Sequence, residues 1–418
     1  MTADLTINLD RLMNRIAALG RIGALPGGGC KRLALSVEDA EGRALVTGWF
    51  RAAGLEVHTD VIGNCWAIRP GRSGGAPVVM GSHIDTVATG GLYDGVLGVL
   101  GGLEVIESAI EAGTETEKPL AVAFFTNEEG ARFAPDMMGS GVAQGGLDLD
   151  EMLAKVGIDG VSVAEALAAI GAAGPDPVGA LAPDTYLELH IEQGPVLEAE
   201  GLDIGVVTGV QGISWTEITI EGQAAHAGTT PMALRHDAGL VAARIATEAR
   251  AIADAFGPPQ VATVGRIALT PDLVNVIPER AVLTVDLRNT DEARLQAAEA
   301  RLFERAEAFA AAEGCRLSRR TLARFEPVAF DATLVDAVEA EAQALGLTHR
   351  RMPSGAGHDA QMFAPRCASA MIFVPSQDGI SHNIREFTAP GQIAPGVRLL
   401  AQVALARAGR IDQKGQTE

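Results

Sequence analysis

The stretch Val79-Met80-Gly81-Ser82-His83-Ile84-Asp85-Thr86 decides how the chain is read. An apolar run from Ala76 to Met80 has strand character, and a histidine follows it closely. Asp85 comes two residues later, and Asp94, in Gly91-Leu92-Tyr93-Asp94-Gly95, opens a helical pattern over 96–110. Leu120-Ala121-Val122-Ala123-Phe124-Phe125 is an unbroken apolar strand, as expected in a parallel sheet covered on both faces. Strand, helix, strand in this order predicts an α/β domain, in which functional groups gather beyond the carboxyl ends of the strands. His83 and the pair Glu128-Glu129 sit at two such ends. The chain has only 8 histidines, so each position is informative. His83 and Asp94 are the first candidate metal ligands.

Working outward, 418 residues leave room for two or three domains and a substantial core. Apolar residues make up 47% of the chain, yet no apolar run nears the roughly 18 residues of a membrane span. With 53 acidic against 33 basic residues, the formal charge is −20. That argues against nucleic acid and anionic membrane as partners, which need clustered positive charge, and leaves a small anionic substrate open. Met1-Thr2-Ala3-Asp4-Leu5 lacks the basic and apolar segments of a signal peptide. Cys30, Cys65, Cys315 and Cys367 form no CxxC pair, so reduced thiols in a cytoplasmic protein are expected.

Residues 9–19 read as an amphipathic helix, and a second helix capped by Ser36 runs to Ala53. Paired strands follow at 55–60 and 64–68, with His58 at the surface. Residues 139–183 read as a peripheral Gly/Ala-rich insertion, and 186–193 as a strand. From Thr208 the pattern changes: strand 213–221, helix 237–256, strands 261–269 and 280–288, helix 292–313, strand 316–322. This β-α-β-β-α-β order is ferredoxin-like. It interrupts an α/β chain that resumes with a helix at 331–345, a strand at 370–374 and a helix at 393–408. The expected division is 1–208 with 325–418 as the catalytic part and 209–324 as the insert; the tail after Gly409 reads as frayed.

The chemistry-bearing set is His83, Asp94, Glu129, His190 and His382, with Glu128 beside them. Two metals sharing one carboxylate need this inventory of imidazoles and carboxylates. Asp85 is expected to orient His83 through its second ring nitrogen. Adjacent side chains diverge, so one of Glu128 and Glu129 can bind metal while the other acts as general base. No G-x-S-x-G elbow supports a serine hydrolase, and no Walker lysine or G-x-G-x-x-G supports nucleotide binding.

Four segments carry a family resemblance: Gly81-Ser82-His83-Ile84-Asp85-Thr86, Thr126-Asn127-Glu128-Glu129-Gly130-Ala131-Arg132-Phe133, Glu188-Leu189-His190-Ile191-Glu192-Gln193-Gly194-Pro195 and Gly355-Ala356-Gly357-His358-Asp359-Ala360. Over 5–408 the chain resembles the amidase, hydantoinase/carbamoylase branch of the di-metal aminoacylase/carboxypeptidase superfamily. That branch holds N-carbamoyl-L-amino-acid hydrolases, β-ureidopropionases and allantoate amidohydrolases.

The resemblance implies an α/β fold: a di-metal exopeptidase-like catalytic domain with an inserted ferredoxin-like α+β lid/dimerisation domain. It implies that His83 and His190 bind one metal, Glu129 and His382 the other, with Asp94 bridging and Glu128 as general base. His226, in Gly222-Gln223-Ala224-Ala225-His226-Ala227-Gly228, would polarise the scissile carbonyl, often from the neighbouring subunit. Asn275 and Arg288 would hold a substrate carboxylate. Alternation in 280–288 puts Arg288 opposite the apolar face of Ala281, Leu283, Val285 and Leu287, and a planar guanidinium suits a carboxylate. Gln193 would contact substrate, Gly355 and Gly357 would let backbone amides approach it, and His358 would support. His236 and His349 read as surface residues. The implied activity is hydrolysis of an N-carbamoyl-L-amino acid or similar ureido acid by a homodimer; allantoate hydrolysis is the alternative, with aminoacylase or dipeptidase activity further off. Zinc, manganese, cobalt and nickel all suit such ligands.

Overall fold

A computed structural model describes residues 5–411, and these divide into two compact units, one of the residues up to Thr208 together with those from Ala329 onward, the other Gly209–Val328. The first unit is built on a mixed sheet whose middle is parallel. Val78–His83 runs parallel to Leu120–Phe125 on one side and to Thr185–Ile191 on the other, and Ala368–Val374 lies parallel beyond that. Antiparallel strands flank them: Cys65–Arg69 beside Leu120–Phe125, and Ile204–Val210 beside Ala368–Val374.

Every residue of Val78–His83, Leu120–Phe125 and Thr185–Ile191 is buried, because helices Val96–Glu111 and Pro390–Arg407 cover the sheet. The apolar strands thus gain burial on both faces, roughly 1.5–3 kcal/mol for each large side chain. Thr185–Ile191 alternates polar and apolar residues but has no solvent face. Its polar positions, Glu188 and His190, point into the protein and must find partners there.

Three features depart from the sequence reading. The Gly/Ala-rich stretch is not peripheral at its start: Met138–Ala143 is wholly buried, and Gly139 donates its N–H to the Thr126 carbonyl at 2.8 Å. A side chain at Gly139 would collide with that backbone, which explains the small residues. Strands Ile204–Val210 and His349–Ser354 were not foreseen. His349 opens the latter strand and bonds the Leu347 carbonyl through Nδ1 at 2.9 Å, so it is a half-buried structural residue.

In the second unit, four antiparallel strands stand in the order Val261–Thr270, Arg280–Asn289, Gly212–Glu221, Arg316–Phe325. Helices Ala238–Phe256 and Glu292–Ala312 pack on one face through Val241, Ile245, Ile252, Leu295 and Leu302. The unit spans Gly209–Val328, and its last strand extends to Phe325, one residue past the expected bound. No helix among the described residues is long and apolar enough to cross a membrane.

Candidate metal centre

The four parallel strands deliver the site at their carboxyl ends. His83 is the last residue of its strand, and Thr126–Glu129 follows Phe125 directly. His190 lies one residue before the end of the third, and the fourth leads into the loop that carries His382. Asp94 stands just before the N-terminus of helix Val96–Glu111, where the helix dipole favours a negative charge. Gly95 is required between them: it has φ +65°, and a Cβ there would lie 2.4 Å from His83 Nε2.

Asp94 divides its two oxygens. Oδ1 lies 3.5 Å from His83 Nε2 and 3.1 Å from His190 Nε2; Oδ2 lies 3.5 Å from His382 Nε2. Glu129 Oε2 is 3.2 Å from the same His382 nitrogen. His83–Asp94–His190 and Asp94–Glu129–His382 are thus two ligand triads sharing one carboxylate.

The tautomers are fixed by backbone. His83 Nδ1 meets the Asp85 carbonyl at 2.9 Å and His190 Nδ1 meets the Ile191 carbonyl at 2.9 Å. A carbonyl only accepts, so each Nδ1 carries the hydrogen and each Nε2 turns a lone pair toward Asp94. Gly95 N–H donating to His190 Nε2 at 3.2 Å agrees. Lone pairs facing a carboxylate oxygen repel unless a cation stands between them. Ligands held about 2.0–2.2 Å from a tetrahedral ion lie roughly 3.3–3.6 Å from one another. The donor set and its spacing therefore fit two divalent cations.

This geometry corrects the role expected of Asp85. Its carbonyl, not its carboxylate, bonds His83 Nδ1; the carboxylate oxygen is 3.9 Å away. The carboxylate instead accepts the backbone N–H groups of Glu128 and Glu129, both at 3.3 Å, and so orients the adjacent glutamates. Those two diverge: Glu129 reaches His382, while Glu128 Oε2 lies 3.3 Å from His83 Nε2 and lines the cavity.

Burial opposes the charge on Asp94; in the metal-free chain a proton on His190 and on His83 outweighs it and holds the carboxyl well below the usual range, the same positive charge that cations between them would supply. Burial pushes Glu128 well above its usual value, with Asp359 and Glu129 adding to the effect. His382, bonded to Glu129, is pushed up to about 9. Burial, then His190, holds His358 well below the usual histidine value. Neutral His358 bonds Ser354 Oγ through Nε2 at 2.8 Å and stands edge-on to the His190 ring, centroids 4.6 Å apart. It belongs to the wall around the triads.

Gln193 donates its amide to Asp94 Oδ2 at 2.9 Å, so it steadies the shared carboxylate as well as lining the cavity. Gly357 lines that cavity; Gly355 is exposed and does not. Sequence reasoning missed Glu386, whose Oε1 accepts the Tyr93 and Asp94 backbone N–H groups and whose Oε2 accepts Ser381 Oγ. Ser381 Oγ also lies 2.9 Å from Asp94 Oδ2, so its one hydroxyl hydrogen is shared between the two carboxylates. Glu188, wholly buried, was missed too; it accepts Ser82 Oγ at 2.7 Å and Ala360 N–H at 2.8 Å. Its alternation with His190 along one strand was the signal available.

His226, Asn275 and Arg288 lie in the second unit. A two-residue ladder pairs His226 with Val276 beside Asn275, and the Asn275 carbonyl accepts Ala227 N–H at 3.0 Å. His226 is exposed, and its Nδ1 accepts N–H groups from Gly228 at 3.0 Å and Thr229 at 3.3 Å. Its hydrogen therefore sits on Nε2. Arg288 lies opposite the apolar face, paired with Asp286 at 2.8 Å and near the Trp215 ring.

The family model for peptidase family M20/M25/M40 matches residues 79–406. An N-carbamoyl-L-amino-acid amidohydrolase of Rhizobium meliloti is 41% identical over 403 residues, 96% of this chain and 97% of that one. The corresponding protein of Geobacillus stearothermophilus is 42% identical over 398 residues, 94% of this chain and 96% of its own. A solved hydantoinase/carbamoylase family amidase from Burkholderia multivorans has a TM-score of 0.95 at 45% identity, covering 97% of this chain and 98% of that one. The chain belongs to peptidase family M20/M25/M40 and, within it, to the hydantoinase/carbamoylase amidases.

Proposed function

We propose that the chain hydrolyses the ureido C–N bond of an N-carbamoyl-L-amino acid, releasing the amino acid, ammonia and carbon dioxide. The observation that carries this reading is the shared carboxylate, Asp94, with Glu128 left outside both triads and lining the same cavity. Full-length likeness to the N-carbamoyl-L-amino-acid amidohydrolases directs it to ureido substrates.

Two divalent cations, zinc foremost, would supply charge to polarise the carbonyl and acidify water. His83 and His190 would hold one, Glu129 and His382 the other, and Asp94 both. Glu128 takes a proton from the attacking water and returns it to the departing nitrogen; burial makes it a stronger base than an exposed carboxylate. His226, hydrogen on Nε2, donates to the oxygen on which charge develops. Arg288 and Asn275 take the substrate's carboxylate.

The second unit would serve as lid and as the contact between two copies in a homodimer. The outer edge of strand Val261–Thr270 has no neighbouring strand among the described residues, and with Val261 and Ile267 exposed it suits pairing with its counterpart. Ammonia release measured in parallel from N-carbamoyl-L-amino acids, N-carbamoyl-β-alanine and allantoate tests the substrate. Turnover of the first group should dominate; a preference for allantoate, or cleavage of N-acetyl amino acids alone, overturns the reading.

A further inference from the structure

The cavity beside the two triads has a volume of about 100 Å³. Four carboxylates line it. Asp94 and Glu129 belong to the triads, and Glu128 lies against His83. Asp136 is the fourth. It is half-buried and, its own backbone N–H aside, makes no hydrogen bond or ion pair with another described residue. Burial, reinforced by Glu129, raises its pKa above the ordinary aspartate value. A partly desolvated carboxylate beside other carboxylates is unfavourable in the protein alone and becomes favourable when a donor reaches it.

The loop that carries Asp136 is fixed. Asn127 donates its amide to the carbonyls of Phe133 at 2.8 Å and Pro135 at 3.0 Å, and Met137 N–H meets the Glu128 carbonyl at 2.8 Å. Gly130 packs so closely that a Cβ there would lie 2.9 Å from Asp136 Cα. A group held this way on a supported loop can discriminate between ligands. The same cavity offers a second buried acceptor without a partner, Gln193 Oε1.

The acyl group of a carbamoyl substrate ends in NH₂, two N–H donors attached to the reacting carbon. A formyl group has only hydrogen there. We propose that Asp136 is a specificity-determining residue that accepts an N–H of the terminal carbamoyl amino group, with Gln193 Oε1 matching the other. The assignment rests on the ureido reading above and names the residue that would enforce it. The triads, Glu128 and Asp136 line one small cavity, so a carbamoyl group whose carbon is held beside the triads sits in a volume that Asp136 also lines.

The test compares kcat/KM for N-carbamoyl-L-alanine and N-formyl-L-alanine, with N-carbamoyl-L-lysine as a third substrate, in the metal-loaded full chain. Asp136→Ala should lower the carbamoyl-to-formyl preference by ~10- to 100-fold, as expected for loss of one hydrogen bond to a charged group. Asp136→Asn, which keeps an acceptor oxygen, should restore part of that preference. Metal content equal to the parent's establishes that the variants are intact, and the Asn variant serves if the Ala variant does not fold. An equal loss on the carbamoyl and formyl substrates, or an unchanged preference, overturns the assignment. A loss confined to the lysine substrate also overturns it, since the carboxylate would then read the side chain. If the unsubstituted chain hydrolyses no N-carbamoyl substrate, the functional reading itself fails, a result distinct from any of these.

Discussion

Glu386 accepts the backbone N–H of Asp94 at 3.1 Å, and this fixes the peptide from which the shared carboxylate projects. The same carboxylate holds Tyr93 N–H at 2.9 Å and Ser381 Oγ at 3.1 Å. Glu386→Ala leaves two buried N–H groups without an acceptor and should weaken metal binding by ~10- to 100-fold, the usual effect of losing a group that orients a ligand. Glu386→Gln should lose less, because one amide oxygen still accepts. Chelator competition on the folded variants measures it, and parental affinity in Glu386→Ala would show that Asp94 needs no such anchor.

Glu128 stands outside both triads, so Glu128→Gln should keep the parental metal content while kcat falls by ~10²- to 10⁴-fold. Metal analysis and steady-state kinetics on the same preparation separate the two effects. Near-normal turnover would remove Glu128 as general base.

His226 lies on the surface of its own unit with its hydrogen directed to Nε2. If it serves the neighbouring subunit, mixing inactive His226→Ala and Glu128→Gln chains restores one working site in each mixed dimer. Verified mixed dimers without activity would place His226 in the site of its own chain.

Asp60 provides a pH dependence away from the metal centre. It accepts N–H groups from Ile62 at 3.1 Å and Asn64 at 2.9 Å, yet burial pushes its pKa from 3.8 up to about 6. Between these values the folded chain binds the proton more tightly than the unfolded chain. Its contribution to stability is fully present below about pH 3.8 and is lost as pH rises through about 6. Asp60→Asn should abolish this component, worth about 1–3 kcal/mol across the window, while losing some stability at every pH through an amide turned toward Asn64. Urea unfolding of metal-free protein at pH 4 and pH 6.5 reads the difference; an identical slope in both proteins excludes Asp60 as its source.

Much of the first unit was legible because fully buried parallel strands leave a simple trace. Val78–His83 and Leu120–Phe125 are apolar runs, and residues at their carboxyl ends converge whatever the sequence distance between them. Ile204–Val210 and His349–Ser354 left no such trace: glycines at 205 and 209 and the charged pair Arg350-Arg351 break the apolar pattern. At the site, spacing identified Asp85 as a neighbour of His83 but not which of its oxygens reaches the ring. A chain turning out of a strand presents carbonyl and carboxylate in different directions, and only the folded backbone decides which of them faces the ring. Glu386 stayed hidden because it acts on the backbone of Asp94, and an interaction with main chain imposes no residue type on its partner.

The strand order has a consequence for synthesis. Ala368–Val374 lies between Thr185–Ile191 and Ile204–Val210, so until it leaves the ribosome the nascent sheet has a gap between those two strands. The stretch 209–328, continuous and with its own core, can close while the older segments still wait. His382 emerges after all the other candidate donors. A truncated or stalled chain would therefore expose an apolar sheet edge and lack the second triad, a natural target for chaperones and quality-control proteases, whereas a chain read to its end completes sheet and site together.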